Sequence, residues 1–420
     1  MEEVLRLGIQ SEIGQLEGVI LHTPGAEVEN MTPGTAQRAL YSDILNLSIA
    51  QKEYSQLRGV LEKYTVTYQV TDLLEKALGN FRSRKSLITK VCSTSGAEEY
   101  FDSLMEMPSG ELARALIEGI PARINTLTAY LNEEYYALSP LYNFYFTRDA
   151  SVAVGNNALI CKMANKVRMR ESLIMESIFR DSGAFDCNII NANEFGGGDD
   201  AIFMEGGDII IAREDILLVG SGCRTSSRGI DMLIASLCNG KHEGTRHIIV
   251  QQLPSAPESF IHLDMVFTLL DRDKCMIYEP LILGNNQYQT VHITVENGKV
   301  SKIKSVPDIL HALRGLGMDL EPVICGGRED AWNQEREQWH SGANFFAIAP
   351  GMLLSYSRNI NTLRELNEAG FEIIPAWDVI EGRKDAADYA RCVITIEGSE
   401  LPRGGGGARC MTMPVRRKAL

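Results

Sequence analysis

Phe345-Phe346-Ala347-Ile348-Ala349, then Pro350-Gly351, then Met352-Leu353-Leu354-Ser355-Tyr356 is the stretch whose reading decides the fold. Two short apolar runs separated by Pro-Gly read as a buried strand, a tight turn and a second buried strand. Helical spacing follows near residues 361–369, and Phe371–Ile374 returns to a strand pattern. The unit is therefore strand–turn–strand–helix–strand, which places the chain in the α/β class.

The same beat recurs on both sides. Ala201–Met204 and Asp208–Ala212 flank Gly206-Gly207, with Ile216–Val219 after them. His262–Leu270 turns through Asp271-Arg272-Asp273-Lys274 into Cys275–Tyr278. Thr290–Val295 turns at Asn297-Gly298, a strong hairpin signal, into Val300–Ile303, and a helix is expected after Pro307. Near the start, Gly18–His22 reads as a strand stopped by Thr23-Pro24-Gly25. Helical spacing runs from Thr35 to Leu61 through Leu40, Ile44, Leu47 and Leu57, and a half-buried strand is expected over Tyr64–Val70. The repeats agree in pattern and not in identity.

From about Asp72 to Ser139 strand signals thin out. Leu112, Leu116, Ile117 and Ile120 fall at helical spacing, with Ser109 expected to cap that helix and Pro121 to stop it. The expected layout is a body of residues 1–71 and 141–420 carrying a helical insertion at 72–140. No Pro-, Gly- or Ser-rich linker divides the body.

Of the 420 residues, 45% are hydrophobic and 23% charged, an ordinary globular composition. Mean hydropathy is −0.09, no run reaches the roughly 18 apolar residues of a membrane span, and Met1-Glu2-Glu3-Val4 lacks a secretory layout. Lys and Arg number 41 against 55 Asp and Glu, a net charge of −14. Such a field disfavours nucleic acid and other polyanions and is compatible with a small cationic substrate. Arg416-Arg417-Lys418 reads as a solvated tail. Nine cysteines, an odd number without a C-x-x-C pair, point to reduced thiols in the cytoplasm.

Four polar constellations sit beside turns: Phe146-Thr147-Arg148-Asp149, Glu205-Gly206-Gly207-Asp208, His262-Leu263-Asp264, and Gly404 to Gly407 followed by Ala408-Arg409-Cys410-Met411. Each alone reads as a capped turn. Together they supply a cysteine, a histidine with an acid two residues on, and further acids. On an extended strand His262 and Asp264 would share a face. A Cys–His pair with an orienting carboxylate can attack an electrophilic carbon and protonate a leaving group. Extra carboxylates would repel an oxyanion, but they grip a guanidinium through paired hydrogen bonds. A metal reading of His262, Asp264, Glu205 and Asp208 lacks the His- and Cys-rich helical spacing of zinc sites, and the four-glycine run lacks the Lys-Ser/Thr of a phosphate loop.

These residues carry a resemblance to the arginine deiminases, guanidino-group-modifying enzymes with the pentein α/β-propeller fold. The matching stretches are His22 to Glu27, Ala50 to Glu53, Asn143 to Asp149, Val167 to Ser172, Glu205 to Asp208, His262 to Thr268, Arg336 to Trp339, Ala349 to Gly351 and Gly407 to Pro414. They span the chain in the family's order, and A-R-C-M-T-M-P is the most specific of them. The resemblance implies a propeller of repeated ββαβ units with the helical insertion. It implies Cys410 as nucleophile, His262 as general acid and base, Glu205 as the carboxylate orienting His262, and Asp149 with Asp264 around the guanidinium. Arg168 and Arg224 fall where the family binds the substrate α-carboxylate, Asn143 and Phe146 fall at pocket positions, and Asp208 is grouped with the substrate-binding set. Ala150 replaces a usual proline, Gly405 stands where several members carry a gating arginine, and His340 and Ala343 depart from the segment after R-E-Q-W.

The implied reaction is hydrolysis of free L-arginine to L-citrulline and ammonia by way of an S-alkylthiouronium on Cys410, with water as second substrate and no cofactor or metal. Arg168 and Arg224 argue for a free α-carboxylate and against agmatine. Other readings are a methylarginine hydrolase, a dihydrolase or an amidinotransferase on the same scaffold, or a non-catalytic arginine-binding protein. Exposed sheet edges would allow a homo-oligomer of unspecified stoichiometry.

Overall fold

The computed structural model describes residues 4–36, 41–131, 135–238 and 244–420. Five sheets repeat one connection: a strand, an antiparallel neighbour, a helical crossover, and a third strand parallel to the second. Ser151–Val154 pairs antiparallel with Asn157–Ile160, the helix Met169–Asp181 crosses, and Asn188–Asn191 returns parallel. Ile209–Arg213, Ile216–Ser221 and Thr245–Gln252 repeat it, as do Phe267–Leu269, Lys274–Ile277 and Glu321–Ile324. Phe346–Ala349, Met352–Tyr356 and Cys392–Ile396 form the next unit, with Glu372–Pro375 on its outer side. The remaining unit joins the two ends of the chain, because Met413–Arg417 pairs antiparallel with Leu16–Leu21, which runs parallel to Val66–Gln69. This last pairing brings the C-terminal cysteine turn back among the other units. Thr290–Glu296 and Lys299–Val306 extend the second of these sheets as an edge hairpin, and lysines 299, 302 and 304 lie along its outer strand, where charge discourages edge-to-edge pairing.

After the first parallel strand the chain is mainly helical, over Val70–Leu78, Phe81–Ser95, Phe101–Glu106 and Ser109–Glu118, followed by a small hairpin of Ile120–Pro121 with Tyr136–Leu138. This stretch is not a separate body, since Leu73, Leu74, Ile88 and Leu116 share one apolar core with Ile174, Met175 and Ile178.

Several local expectations are corrected. Among the described residues, helix over 35–61 lies at Pro33–Ala36 and Leu47–Tyr64, with Asn46 capping the latter through Ile49 N; residues 41–46 are irregular, and residues 37–40, Leu40 included, lie outside the described residues. Val70 opens a helix and does not end a strand. Ser109 is the first residue of its helix and not its cap; its hydroxyl accepts from Arg84. Ala201–Met204 is not a strand, and the strand expected from His262 begins only at Phe267. Arg416-Arg417-Lys418 is no solvated tail. Arg417 is buried, lies over the Phe346 ring and donates to Gly14 O and Ala347 O, because the closing strand carries it into the body. The eight cysteines whose side chains are described are all free thiols. Among the described residues no helix is long and apolar enough to cross a membrane.

Candidate active site

Turns at the strand ends converge on a cavity of about 230 Å3, somewhat below the volume usual for drug-sized ligands and suited to a small metabolite. Asn143, Phe146, Asp149, Arg168, Arg224, His262 and Cys410 all line it. The sequence had scattered these seven over more than half of the chain.

Cys410 sits in the turn between the glycine run and the closing strand. Glycine is needed here for close approach. A Cβ on Gly406 would stand 2.5 Å from the Phe146 ring, and one on Gly407 would stand 2.6 Å from Asn344 Oδ1. Thr412 Oγ1 donates to Ala408 O and Arg409 O, which pins the turn from within. The sulfur is 3.7 and 3.9 Å from the two oxygens of Asp264. Burial pushes the Cys410 thiol well up, and the charges of Asp264 and Asp149 push it further.

His262 is fully buried, with Nε2 2.9 Å from Glu205 Oε2 and Nδ1 3.7 Å from Asp149 Oδ1. Burial, the largest influence, pulls its pKa down. Asp149, the hydrogen bond to Glu205, and Asp208 together outweigh it and raise the imidazole to about 9. The ring is therefore an imidazolium at neutral pH. Glu205 is buried too, which alone would raise it, but Arg224, His262 and Arg168 hold it well below the ordinary carboxylate range. His262 Nδ1 and Asp149 Oδ1 have no hydrogen-bond partner among the described residues. Two buried polar atoms on one cavity wall are costly unless a ligand satisfies them. Gly207 leaves room for this arrangement, since a Cβ there would lie 2.5 Å from His262 Nδ1 and 3.1 Å from Asp149 Oδ1.

The acids are held by arginines. Arg168 is gripped by Glu171 through Nε and Nη2, and its Nη1 donates to Asp149 Oδ2 at 2.7 Å. Burial disfavours its charge, yet Glu171 and Asp149 keep it protonated. Arg224 Nη1 lies 3.5 Å from Glu205 Oε1. Arg409, next to the cysteine, spans Asp264 (2.7 Å) and Glu12 (3.0 Å).

Three of the expected site residues stand behind the wall. Glu205 orients His262, and Asp264 touches the sulfur, but neither lines the cavity. Asp208 does not line it either. Its Oδ1 accepts from Leu263 N at 2.9 Å, so it braces the turn that carries His262. The shared strand face of His262 and Asp264 is corrected: Leu263–Met265 is a single 3-10 turn, which aims His262 toward Asp149 and Asp264 toward Cys410. Sequence reasoning assigned no role to Asn344, Arg409, Glu171 or Glu12. Arg409 lay inside a quoted motif, whereas Asn344 before a strand looks like any turn asparagine.

Asp149, Glu205 and His262 offer ligand atoms within 4.8 Å of one another, a spacing compatible with a cation. The residues do not fit one well. Arg168 Nη1 is 2.7 Å from Asp149 and 3.9 Å from Glu205, so a guanidinium already fills that position, and an imidazole with a pKa near 9 keeps the proton that a metal would need to displace.

The arginine deiminase family model matches residues 37–417. The chain is 33% identical to the arginine deiminase of Bacillus cereus (strain ATCC 10987 / NRS 248), over 98% of each protein. It is 31% identical to that of Listeria monocytogenes serovar 1/2a, over 99% of this chain and 98% of the relative. Among solved structures it resembles SxtG, an amidinotransferase from Microseira wollei (TM-score 0.53, 14% identity, 99% of this chain and 98% of the other). It also resembles an N-terminal domain of ArgZ covalently bonded to a reaction intermediate (TM-score 0.52, 14% identity, 95% and 98%). At that identity the two structures speak to the fold alone, which is the pentein α/β fold expected from the sequence.

Proposed function

The chain belongs to the arginine deiminase family and is an enzyme acting on arginine, and from that premise we propose that it hydrolyses free L-arginine to L-citrulline and ammonia through a covalent adduct on Cys410. One observation carries the reading: Cys410, His262 and Asp149 line a single small cavity, and among the described residues His262 Nδ1 and Asp149 Oδ1 have no hydrogen-bond partner.

In the proposed course, the substrate guanidinium lies against Asp149 and over Cys410, with Asp264 acting on it from behind the sulfur, and its α-carboxylate reaches Arg224 and Arg168. Arg224 is the better placed of the two, because most donors of Arg168 are already spent on Glu171 and Asp149. The arriving cation offsets the carboxylates that raise the thiol, so Cys410 loses its proton to solvent when substrate binds. An Sγ–Cζ bond forms, His262 gives its proton to one nitrogen, and the Cζ–N bond breaks to release ammonia. Neutral His262 then takes a proton from water, whose oxygen attacks Cζ. As the Cζ–S bond breaks, the proton of the new Cζ–OH group passes to solvent, leaving neutral citrulline and the thiolate. Atoms balance as arginine plus water to citrulline plus ammonia.

Assays of citrulline and ammonia with arginine, methylarginines, agmatine and peptidyl-arginine test the reading. Arginine is expected to be the preferred substrate, and Cys410→Ser to abolish turnover while arginine still binds. Normal citrulline production by Cys410→Ser would overturn it. Ornithine as product would favour a dihydrolase or amidinotransferase course instead.

A further inference from the structure

We infer that Asn344 is a further catalytic residue, whose side-chain amide donates to the Cys410 sulfur and so sets how readily the nucleophile ionises; this rests on Cys410 being the nucleophile. Asn344 is buried at the entrance to the strand Phe346–Ala349. Its Nδ2 lies 3.2 Å from Cys410 Sγ and 3.1 Å from Asp264 O. Its Oδ1 accepts from Arg409 N at 2.9 Å and from Cys410 N at 3.3 Å. One primary amide thus clamps the backbone of the cysteine turn with its oxygen and addresses the sulfur with its nitrogen. The approach depends on Gly407, where any side chain would collide with Asn344 Oδ1.

The electrostatics around the sulfur give this donor its role. Burial, Asp264 and Asp149 all oppose a thiolate, the Gly407 backbone and Arg409 favour it, and Asn344 adds a side-chain donor 3.2 Å from Sγ. A hydrogen bond to a charged acceptor is roughly twice as strong as one to a neutral acceptor, so the amide stabilises the thiolate more than the thiol. A purely structural asparagine would need the Oδ1 contacts but not Nδ2 on sulfur.

The test uses Asn344→Asp, which keeps the shape and the acceptor but removes the donor, and Asn344→Ala, which removes the donor without adding charge. Alkylation of Cys410 by iodoacetamide in the folded, substrate-free protein is followed by mass spectrometry from pH 7 to 9, beside arginine turnover. Below its midpoint the alkylation rate tracks the thiolate fraction. A lost bond to a charged group corresponds to a displacement of about one pH unit. The rate at fixed pH should fall about tenfold in Asn344→Ala and further in Asn344→Asp, with kcat falling more than KM changes. Because alanine widens access to the sulfur, a slower rate there reports ionisation. If either variant does not fold, the other carries the test. Wild-type alkylation in a folded variant overturns the inference, whatever the substrate proves to be. Slowed alkylation in a protein that makes no citrulline from arginine would sink the substrate reading and leave this one standing.

Discussion

Replacing Glu205 with glutamine isolates the charge that keeps His262 protonated. Glutamine keeps the length and an oxygen able to accept from Nε2 across the 2.9 Å contact, so geometry is retained while the carboxylate is lost. His262 stands near 9 because Asp149, Asp208 and Glu205 overcome a large burial penalty. Glu205 contributes both a hydrogen bond and a charge, and without its charge the ring should fall back toward the ordinary value of about 6.5. At pH 7.5 the imidazolium fraction then drops from nearly all to about one in ten. Turnover at pH 7.5 should fall about tenfold, and the alkaline limb of kcat should move from near pH 9 down by about 2.5 units. At pH 5.5 the defect should be much smaller. The stability signature has a fixed sign. A histidine raised in the folded state contributes stability that is complete below pH 6.5 and lost as pH rises through about 9. That contribution is at most about 3 kcal/mol. Urea denaturation should show this loss in the wild type and little of it in Glu205→Gln. A variant whose alkaline limb stays near pH 9 would refute the reasoning.

Gly207→Ala should cut kcat by about a hundredfold, because its Cβ would displace His262 and a shift of about an ångström costs that much; near-normal kcat would deny the close packing. Arg224→Lys should raise KM for arginine at least about tenfold through loss of planar paired donors, with little change for agmatine, which lacks the α-carboxylate. Glu12→Gln should destabilise the fold by about 3 kcal/mol in denaturant titrations, since it leaves Arg409 and Arg148 short of their buried partner. Burial alone would raise Glu12, but Arg409 and Arg148 lower it to about 2. Its share of wild-type stability should therefore be present above about pH 4.5 and vanish as pH falls through 2.

The strand–turn–strand–helix–strand units were legible because apolar runs and turn residues are local signals: Pro350-Gly351 and Asn297-Gly298 each mark a real hairpin. Cys410, His262 and Asp149 were singled out by residue type beside turns and by the resemblance to arginine deiminases, and all three line the cavity. What depended on long-range pairing was not legible. Arg417 looked like a solvent-exposed charge until the pairing of Met413–Arg417 with Leu16–Leu21 carried it inside. Asp208 resembled its neighbour Glu205, yet the one-turn bend at Gly206-Gly207 sends it to Leu263 N and away from the cavity. Asn344 shares no local pattern with Cys410, 66 residues away, so only folding reveals their contact.

Rapid acid quenching during arginine turnover, followed by mass spectrometry of the peptide that contains Cys410, tests the central claim most directly. A mass increase on Cys410 matching arginine less ammonia, absent from Cys410→Ser, is the predicted result. Steady citrulline release with Cys410 unmodified at every quench time, and the adduct found on another side chain, would contradict it.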